Sequence, residues 1–352
     1  MRKFLALGVV TPFLWALDAR AQTVESKLTA LEKLPASERQ QHLYEAAKGE
    51  GEAIVYANMD VSAMKPLTDG FLKRYPGTKA ASVHFSGASI ITRIETEARA
   101  GKPISDVVLS GQLGVLALIE KKIAARYRSP EREFYRGGFK DKEGLWTAYM
   151  TNVMVSAYNT REVKKEEAPR AVEDLLKPRW KGKLTMDNQS YVWFGTMLQY
   201  LGEEAGLRFM KRLNEQSISH QRGRRLMTQL VAAGEFDMAV ETNLNSVLTF
   251  SRQGAPLSFA PIQPYFLSPS LVFMSASAPR PYTGALFIDY LLSEEGQRIV
   301  MGTNRMPAHA KVKSTEGQLL EGQDVRTPDI FDIGKRYQTI GNRYREIFGG
   351  AR

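Results

Sequence analysis

The chain has 352 residues, a formal net charge of +10 and no cysteine. The absence of cysteine excludes disulfides, thiolate metal sites and a cysteine nucleophile. A chain of this length can build two domains, each with its own hydrophobic core.

The N-terminus has the composition of an export signal. Basic residues 2–3 are followed by an apolar run over residues 4–17 and by a small-x-small pattern at residues 19–21. The run is shorter than the roughly 20 residues that a membrane-spanning helix needs. This pattern predicts that residues 1–21 are a signal peptide cleaved after Ala21, which makes the protein periplasmic. The alternative is a retained amphipathic anchor.

A periplasmic location bears on the meaning of the positive charge. Nucleic acid is not an expected partner of an exported protein, so a basic surface favours anionic solutes or the negatively charged envelope. No later segment is a continuous apolar stretch of spanning length, so we expect the exported chain to be soluble.

After a polar helical extension at residues 22–49, the chain alternates between strand-like and helical segments. The β-rich runs are followed by amphipathic runs that end at glycine or proline, which is typical of parallel β-α-β units. The predicted strands cover residues 53–57, 80–85 and 105–109, and the predicted helices cover residues 61–75, 88–100 and 113–121.

A second alternation begins after Trp146. It predicts strands over residues 153–158, 183–186, 236–240, 257–261 and 270–274, and helices over residues 191–200, 203–215, 224–233 and 282–301, the last one divided near Ser293. The sequence therefore predicts an α/β protein with two lobes and no flexible linker between them.

Four loops share one design, in which a predicted strand ends, small polar residues follow and a helix begins. Ligands of open α/β sheets bind at the carboxyl ends of strands, and free N–H groups at a helix start attract anions. The alternative for any one loop is simple capping, because Ser and Asn are good N-cap residues. The candidate residues are Ser86 and Gly87, Ser110, Asn188, Gln189 and Ser190, and Thr242 and Asn243.

The sharpest charged feature is Arg222-Gly223-Arg224-Arg225, directly ahead of a predicted helix. Positive charge at a helix start opposes the helix dipole, so a functional reason for it is plausible. A guanidinium group pairs bidentately with carboxylate or phosphate. We favour Arg222 and Arg224 as anion ligands, because Arg225 lies one position further round the helix. The alternative is a solvated surface cluster paired with nearby acids.

The sequence contains no enzyme signature. Its histidines, His42, His84, His220 and His309, are scattered without metal-ligand spacing. No nucleophile elbow, Walker loop or dinucleotide glycine pattern occurs. We therefore predict a binding protein with no catalytic residue, no resident metal and no cofactor.

Six segments that follow one another between residue 43 and about residue 310 point to a family. They are LYEAAKGEGEAIVYA (43–57), SGASIITRIETEARAGKPISDVVLSG (86–111), DLLKPRWKGKLTM (174–186), YLGEEAGLRFMKRLNE (200–215), LVAAGEFDMAV (230–240) and DYLLSEEGQRIV (289–300). In this order they resemble periplasmic binding proteins related to the ferric-ion-binding type.

This resemblance implies the type II periplasmic binding fold, in which two α/β lobes joined by two crossover strands close over a ligand. It implies crossovers near residues 147–151 and 262–270. It also implies that Asn58 and Tyr265 line the cleft together with the loop residues and arginines named above. The implied divisions are lobe 1 at residues 50–148 plus 269–305, lobe 2 at residues 149–268, and C-terminal helices at residues 306–352 that pack back on the lobes.

One departure from the family bears on the ligand. Ferric-binding members have two adjacent tyrosines after the strand that here ends at Val240, whereas this chain has Glu241, Thr242 and Asn243 there. Phenolates are hard oxygen donors for Fe³⁺, so the main iron ligands are missing. Glu241 and Tyr265 could coordinate a hard cation, but loops with arginines favour a small organic or phosphorus-containing anion.

The function that the resemblance implies is that of a monomeric receptor of an ABC-type importer, which captures the anion in the cleft and delivers it to an inner-membrane permease. One alternative is a ferric-ion or ferric-chelate binding protein with atypical ligands. Another is a periplasmic enzyme or a sensory receptor on the same fold. Turnover of a bound ligand would reveal an enzyme, and neighbouring genes for a permease and an ATPase would favour transport.

Overall fold

A computed structural model of the chain describes residues 23–85, 87–112, 120–303 and 305–349. The predicted signal peptide, the candidate residue Ser86 and most of the helix predicted at residues 113–121 lie outside the described residues. Within these ranges the fold is mixed α/β, which confirms the predicted class.

The helices that the sequence predicts within the described ranges begin and end close to their predicted bounds, whereas the helix Leu244–Arg252 was not predicted. Local chemistry sets several starts, because Thr23, Asp60 and Ser293 each accept a backbone N–H as the N-cap residues of α1, α3 and α10. The described helices are α1 (Val24–Leu31), α2 (Ala36–Glu50), α3 (Val61–Arg74), α4 (Gly87–Arg99), α5 (Tyr191–Leu201), α6 (Glu203–Asn214), α7 (Arg224–Ala233), α8 (Leu244–Arg252), α9 (Pro281–Leu292), α10 (Glu294–Gly302), α11 (Thr315–Leu319), α12 (Ile330–Lys335) and α13 (Tyr337–Phe348).

The described strands form one sheet in the order β2-β1-β3-β10-β5-β8-β6-β7, with the shorter β4, β9, β11 and β12 paired alongside β5 or β10. They are β1 (Glu52–Ala57), β2 (Lys79–His84), β3 (Val107–Gly111), β4 (Ala124–Ala125), β5 (Thr147–Asn159), β6 (Leu184–Asp187), β7 (Ser219–Gln221), β8 (Met238–Asn243), β9 (Leu257–Phe259), β10 (Tyr265–Ser275), β11 (Met306–Pro307) and β12 (Val325–Arg326). Two parallel groups, β1 to β3 and β6 to β8, flank the long antiparallel pair β5 and β10.

The register of this sheet makes the two parallel groups face each other end to end. The last residue of β3, Gly111, lies opposite Ser270 of β10, which lies opposite Met150 of β5. From the other direction the last residue of β8, Asn243, lies opposite Met154 of β5. The carboxyl ends of both groups therefore point at the same stretch of β5. Four residues of strand separate them, which is about 13 Å at about 3.3 Å per residue.

Apolar side chains pack into two hydrophobic clusters. One cluster contains Phe71, Phe273 and Leu291, and the other contains Trp180 and Phe194. Both are large enough to explain a stable fold without disulfides. None of the described helices has the length and apolar character needed to cross a membrane.

The C-terminal helix α13 packs against the β6 to β8 end of the molecule. Two arginines pair with Glu203 at the start of α6, namely Arg343 within α13 and Arg336 directly before this helix. The Tyr344 ring lies against Phe194 of α5. The residue boundaries of the two predicted lobes and of the C-terminal segment stay a prediction.

Candidate functional site

Three helix starts share the carboxyl edge of the parallel strands β6, β7 and β8. Each strand is followed within a few residues by a helix, namely α5, α7 and α8. Within the described chain, the N-cap residues Ser190, Gly223 and Asn243 make no side-chain capping bond at these starts. The first N–H groups of these helices thus lack the usual internal acceptor, which leaves a region of positive potential at this edge.

Gly223 makes the turn from β7 into α7 possible. Its φ of 101° lies in the left-handed region that favours glycine. This turn brings Arg224 to the first position of α7 and leaves the Arg222 side chain exposed. Arg222 has no hydrogen bond or ion pair to any other described residue.

Arg224 is anchored by a buried carboxylate that the sequence analysis did not connect with it. The Nε of Arg224 donates to Oε2 of Glu241 at 2.7 Å. The hydroxyl of Ser190 donates to the other oxygen of Glu241, whose side chain is only 1% exposed. Both carboxylate oxygens are therefore engaged, so Glu241 is a positioning residue for Arg224 rather than a free cation ligand.

The remainder of the Arg224 guanidinium faces outward. About a third of the Arg224 side chain, 31%, is exposed. Its Nε is the side-chain atom that donates a hydrogen bond to another described residue. Burial alone would lower the pKa of Arg224, but the attraction of Glu241 outweighs it and raises this pKa. Arg224 is thus a fixed cation whose two terminal nitrogens make no hydrogen bond to another described residue.

Other predicted residues of this edge have different surroundings. Thr242 is fully buried, and its hydroxyl pairs with that of Thr228 at 2.7 Å, so it faces the interior of the protein. The backbone N–H of Asn188 donates to Gln221, while its side-chain Oδ1 is buried without a hydrogen bond to the described residues. Gln189 is exposed, and its N–H donates to Asp187.

The opposite edge, at the ends of β1 and β3, brings Asn58 next to the long strand β5. Oδ1 of Asn58 accepts the hydroxyl of Tyr149 at 3.4 Å, and its N–H donates to the carbonyl of Leu109. Ser110 is almost fully buried, whereas Gly111 is partly open beside Asn58. Asn58 and Gly111 therefore line this edge, and Ser110 supports it from inside.

Arg305 occupies the gap between the two sets of strand ends. The next residues, Met306 and Pro307, pair with Thr151 and Met150 of β5, so Arg305 lies beside the middle of the gap. Burial raises the pKa of Tyr149, and the Arg305 guanidinium nearby opposes that shift. The sequence analysis missed Arg305, because no local pattern reveals that a chain segment after α10 returns to β5.

A cavity of about 410 Å³ opens between the start of α3, the segment after α10 and helices α7 and α8. Its walls include Asp60 and Ser62 at the start of α3, Arg305 after α10, and Ser246 and Thr249 of α8, together with Arg225 of α7. We call it the arginine cavity. Arg225, which the sequence analysis ranked behind Arg222 and Arg224, lines this cavity, with its guanidinium carbon 5.2 Å from the centre of the Phe250 ring.

Two further predicted residues lie at the start of β10 and at the start of α4. Tyr265 is 4% exposed and packs its ring against Phe259 in the hydrophobic core, which favours a structural role. Gly87 begins α4 at the end of β2, as the predicted loop design requires, and its neighbour Ser86 lies outside the described residues. The assignment of Tyr265, Ser86 and Gly87 to ligand binding stays a prediction.

The loop from Asp187 to Ser190 is supported from behind by the C-terminal helix. The buried hydroxyl of Tyr344 donates to the carbonyl of Asp187 at 2.7 Å. His220 of β7 lies beside the same ring and that of Phe348. Burial lowers the pKa of His220. Residues of α13, more than 150 positions away in sequence, therefore hold the loop that contains Ser190.

No group of three or more His, Cys, Asp or Glu side chains suited to a metal ion occurs in the part of the chain that the structure describes. In the segment after Val240, two side chains bond within the protein, Glu241 to Arg224 and Thr242 to Thr228. The chemistry of this edge is that of hydrogen-bond donors and guanidinium groups.

The model of the bacterial extracellular solute-binding protein family matches residues 102–335. The chain belongs to this family. A curated relative, an Fe(3+)-binding periplasmic protein from Serratia marcescens, is 21% identical over 307 residues, which are 81% of this chain and 87% of that protein.

Solved structures with the same fold include proteins bound to different ligands. An iron- and citrate-bound protein from Trichodesmium, IdiA or FutA, superposes with a TM-score of 0.74 at 20% identity, over 84% of this chain and 99% of its own. The periplasmic binding protein AfuA from Actinobacillus pleuropneumoniae, bound to exogenous fructose-6-phosphate, gives a TM-score of 0.71 at 21% identity, over 86% and 99%. At these identities the likeness shows the fold, which is the predicted two-lobed periplasmic binding fold.

Proposed function

We propose that this member of the solute-binding family is the periplasmic receptor of an ABC-type importer, and that it captures a small anionic solute between the two sets of strand ends. The observation that carries this proposal is the outward-facing guanidinium of Arg224, fixed by Glu241 beside three helix starts without side-chain caps. Such an arrangement offers charge and directed N–H groups to an oxyanion.

Delivery to a permease follows from the two-lobed fold. A ligand that contacts both sets of strand ends stabilises the closed arrangement of the lobes, and the closed form is what a permease can distinguish from the empty protein. We infer that the receptor acts as a monomer and has no catalytic role. Signal-peptide cleavage after Ala21 is part of the proposal, and the mature protein in a periplasmic extract should then begin at Gln22 by N-terminal sequencing.

The nature of the solute is the next element of the proposal. AfuA, a protein of the same fold, was solved with fructose-6-phosphate bound, and a phosphorus-containing or carboxylate anion suits the guanidinium and hydroxyl groups of this site. A cavity of about 410 Å³ falls within the range of roughly 300–1,000 Å³ that small-molecule sites occupy.

The decisive experiment is native mass spectrometry of the full-length protein exported and purified without added ligand. The spectrum should show a retained solute of low mass, and extraction should identify an organic or phosphorus-containing anion. A neutral or cationic solute would overturn the proposal. Bound Fe³⁺ with a visible charge-transfer band would also overturn it, because phenolate coordination would then be present.

A ferric chelate is the second candidate. The observation in its favour is that proteins of similar structure have been solved with iron bound, one of them with citrate. An anionic chelate would engage the same arginines through its carboxylates. Metal analysis of the extract distinguishes the two, since iron and a carboxylate in fixed ratio favour the chelate.

An enzyme or a sensory receptor on this fold remains the third candidate. Incubation of the protein with the identified solute should return that solute unchanged, and a product would show an enzyme. Stimulation of ATP hydrolysis by the reconstituted permease would favour transport over signalling.

A further inference from the structure

The arginine cavity holds one guanidinium from each side of the gap between the strand ends. Arg305 comes from the segment that joins α10 to β11, and Arg225 comes from the first turn of α7. The sheet register places the first beside the middle of β5. Any group that touches both arginines therefore links the β1 to β3 side of the molecule with the β6 to β8 side.

Arg225 lacks a carboxylate partner among the described residues. Its guanidinium lies over the Phe250 ring, which steadies the side chain without neutralising it. The hydroxyl-bearing residues Ser246 and Thr249 of α8 line the same wall. An unneutralised arginine with adjacent hydroxyl groups on a concave wall is suited to an oxyanion.

Arg305 has a weak partner. Its terminal nitrogen lies 3.3 Å from Oδ2 of Asp60, whose side chain is 58% exposed, while the other terminal nitrogen donates to the carbonyl of Thr303. Exposed ion pairs of this kind contribute little stability. Asp60 has a separate reason to be there, because its Oδ1 caps α3 by accepting the N–H of Ala63 and also accepts the Ser62 hydroxyl.

We propose that the anionic group of the solute is of the phosphate type, that it bridges Arg225 and Arg305, and that it displaces Asp60 from Arg305. This inference rests on the proposed function and names the class of the ligand; it places the anionic group in the arginine cavity, whose walls do not include Arg224. A carboxylate has two oxygens in one plane; one guanidinium can take up both, or two can share them, as Arg336 and Arg343 share Glu203. A phosphate or phosphonate has three oxygens directed to different sides, and so it can serve two guanidinium groups on opposite walls. Asp60 is then the resident counter-ion of the empty cavity.

The test uses isothermal titration of the refolded, solute-free mature protein with glycerol 3-phosphate, inorganic phosphate, citrate and ferric citrate as probes. Glycerol 3-phosphate should bind more tightly than citrate. Arg225→Ala and Arg305→Ala should each weaken its binding at least tenfold. The matched controls are Arg252→Ala at the far end of α8 and Arg298→Ala on α10, both outside the cavity walls, and these should change affinity less than twofold.

Asp60→Asn should strengthen the binding of the phosphate probe, whereas the two arginine replacements should weaken it. Asparagine keeps the N-cap role but removes the competing charge, so glycerol 3-phosphate should bind about three- to tenfold more tightly. In a purely structural role, loss of the Asp60–Arg305 pair would leave affinity unchanged or reduce it, and that outcome overturns the proposal. Circular dichroism confirms that each variant is folded.

The double variant Arg225→Ala with Arg305→Ala tests whether one ligand group contacts both arginines or whether the two arginines act independently. One group held by both arginines makes their contributions interdependent, so the double variant should lose less than the product of the two single losses. Independent, multiplicative losses contradict bridging. If Arg224→Ala weakens binding while both cavity variants bind normally, the bridge is wrong and the proposed function stands. If the wild type binds none of the anionic probes, both are wrong.

Discussion

The Nε of Arg224 and Oε2 of Glu241 lie 2.7 Å apart, in an ion pair whose acidic partner is buried and whose basic partner is a third exposed. The Ser190 hydroxyl holds the other oxygen of the same carboxylate. This relationship converts a flexible surface arginine into a directed donor, because one edge of the guanidinium is fixed and the other remains available to solvent and ligand.

Replacement of Arg224 tests the directed donor. Arg224→Ala removes a charge-assisted hydrogen bond to the solute, which corresponds to a loss of roughly tenfold or more in affinity. Titration calorimetry with the solute that co-purifies with the wild type measures this loss. Arg252→Ala, on α8 and far from the strand ends, is the control. Unchanged affinity in Arg224→Ala would remove this residue from the site.

Glu241 should matter for stability as well as for binding. Glu241→Gln leaves the Arg224 charge without its partner, and breaking a buried pair lowers the free energy of unfolding by roughly 3–5 kcal/mol. Because Arg224 is partly exposed, we expect the lower end of that range by chemical denaturation. The double replacement Arg224→Met with Glu241→Leu should regain much of the stability but not the binding. Equal stability of Glu241→Gln and the wild type would show that the pair is not structural.

Tyr344 is expected to stabilise the loop that contains Ser190 from the C-terminal helix. Tyr344→Phe removes its hydrogen bond to the Asp187 carbonyl, which should lower the free energy of unfolding by about 1 kcal/mol. Solute affinity should fall a few-fold, since the loop is less constrained. Tyr337→Phe is the control on the same helix, because that side chain is 36% exposed. A loss of stability no larger than in this control would show that the Tyr344 hydroxyl does not stabilise the loop.

We expect the protein to lose stability in mild acid because of the partly buried His220 and the buried His309. Burial lowers the pKa of His220 and of His309 below the ordinary value of 6.5. In acid the unfolded chain therefore binds protons that the folded protein does not, so the free energy of unfolding falls as the pH drops below about 6.5. His220→Gln should flatten the dependence of the melting temperature on pH between 7 and 5. An unchanged slope in this variant would show that His220 does not contribute.

Much of this molecule could be read from local sequence. Alternating β-rich and amphipathic segments predicted the α/β class, and glycine, proline and capping residues set element bounds such as those of α3 and α7. These features depend on neighbours within a few positions, so the chain order reveals them. The arginines at the start of α7 were recognised for the same reason, because a charge that opposes a helix dipole is a local anomaly.

The site depended on contacts between distant segments. Whether Ser190 caps α5 or holds Glu241, 51 residues later, is decided by the packing of β6 against β8. Arg305 reaches the site only because β11 pairs with β5. Arg225 reaches it only because α7, α8 and the start of α3 line one cavity. The sequence by itself determined the class of fold and the type of donor available. Which donors face the same space was decided by the tertiary structure, since strand register and helix packing, not proximity in the chain, set the distances between their side chains.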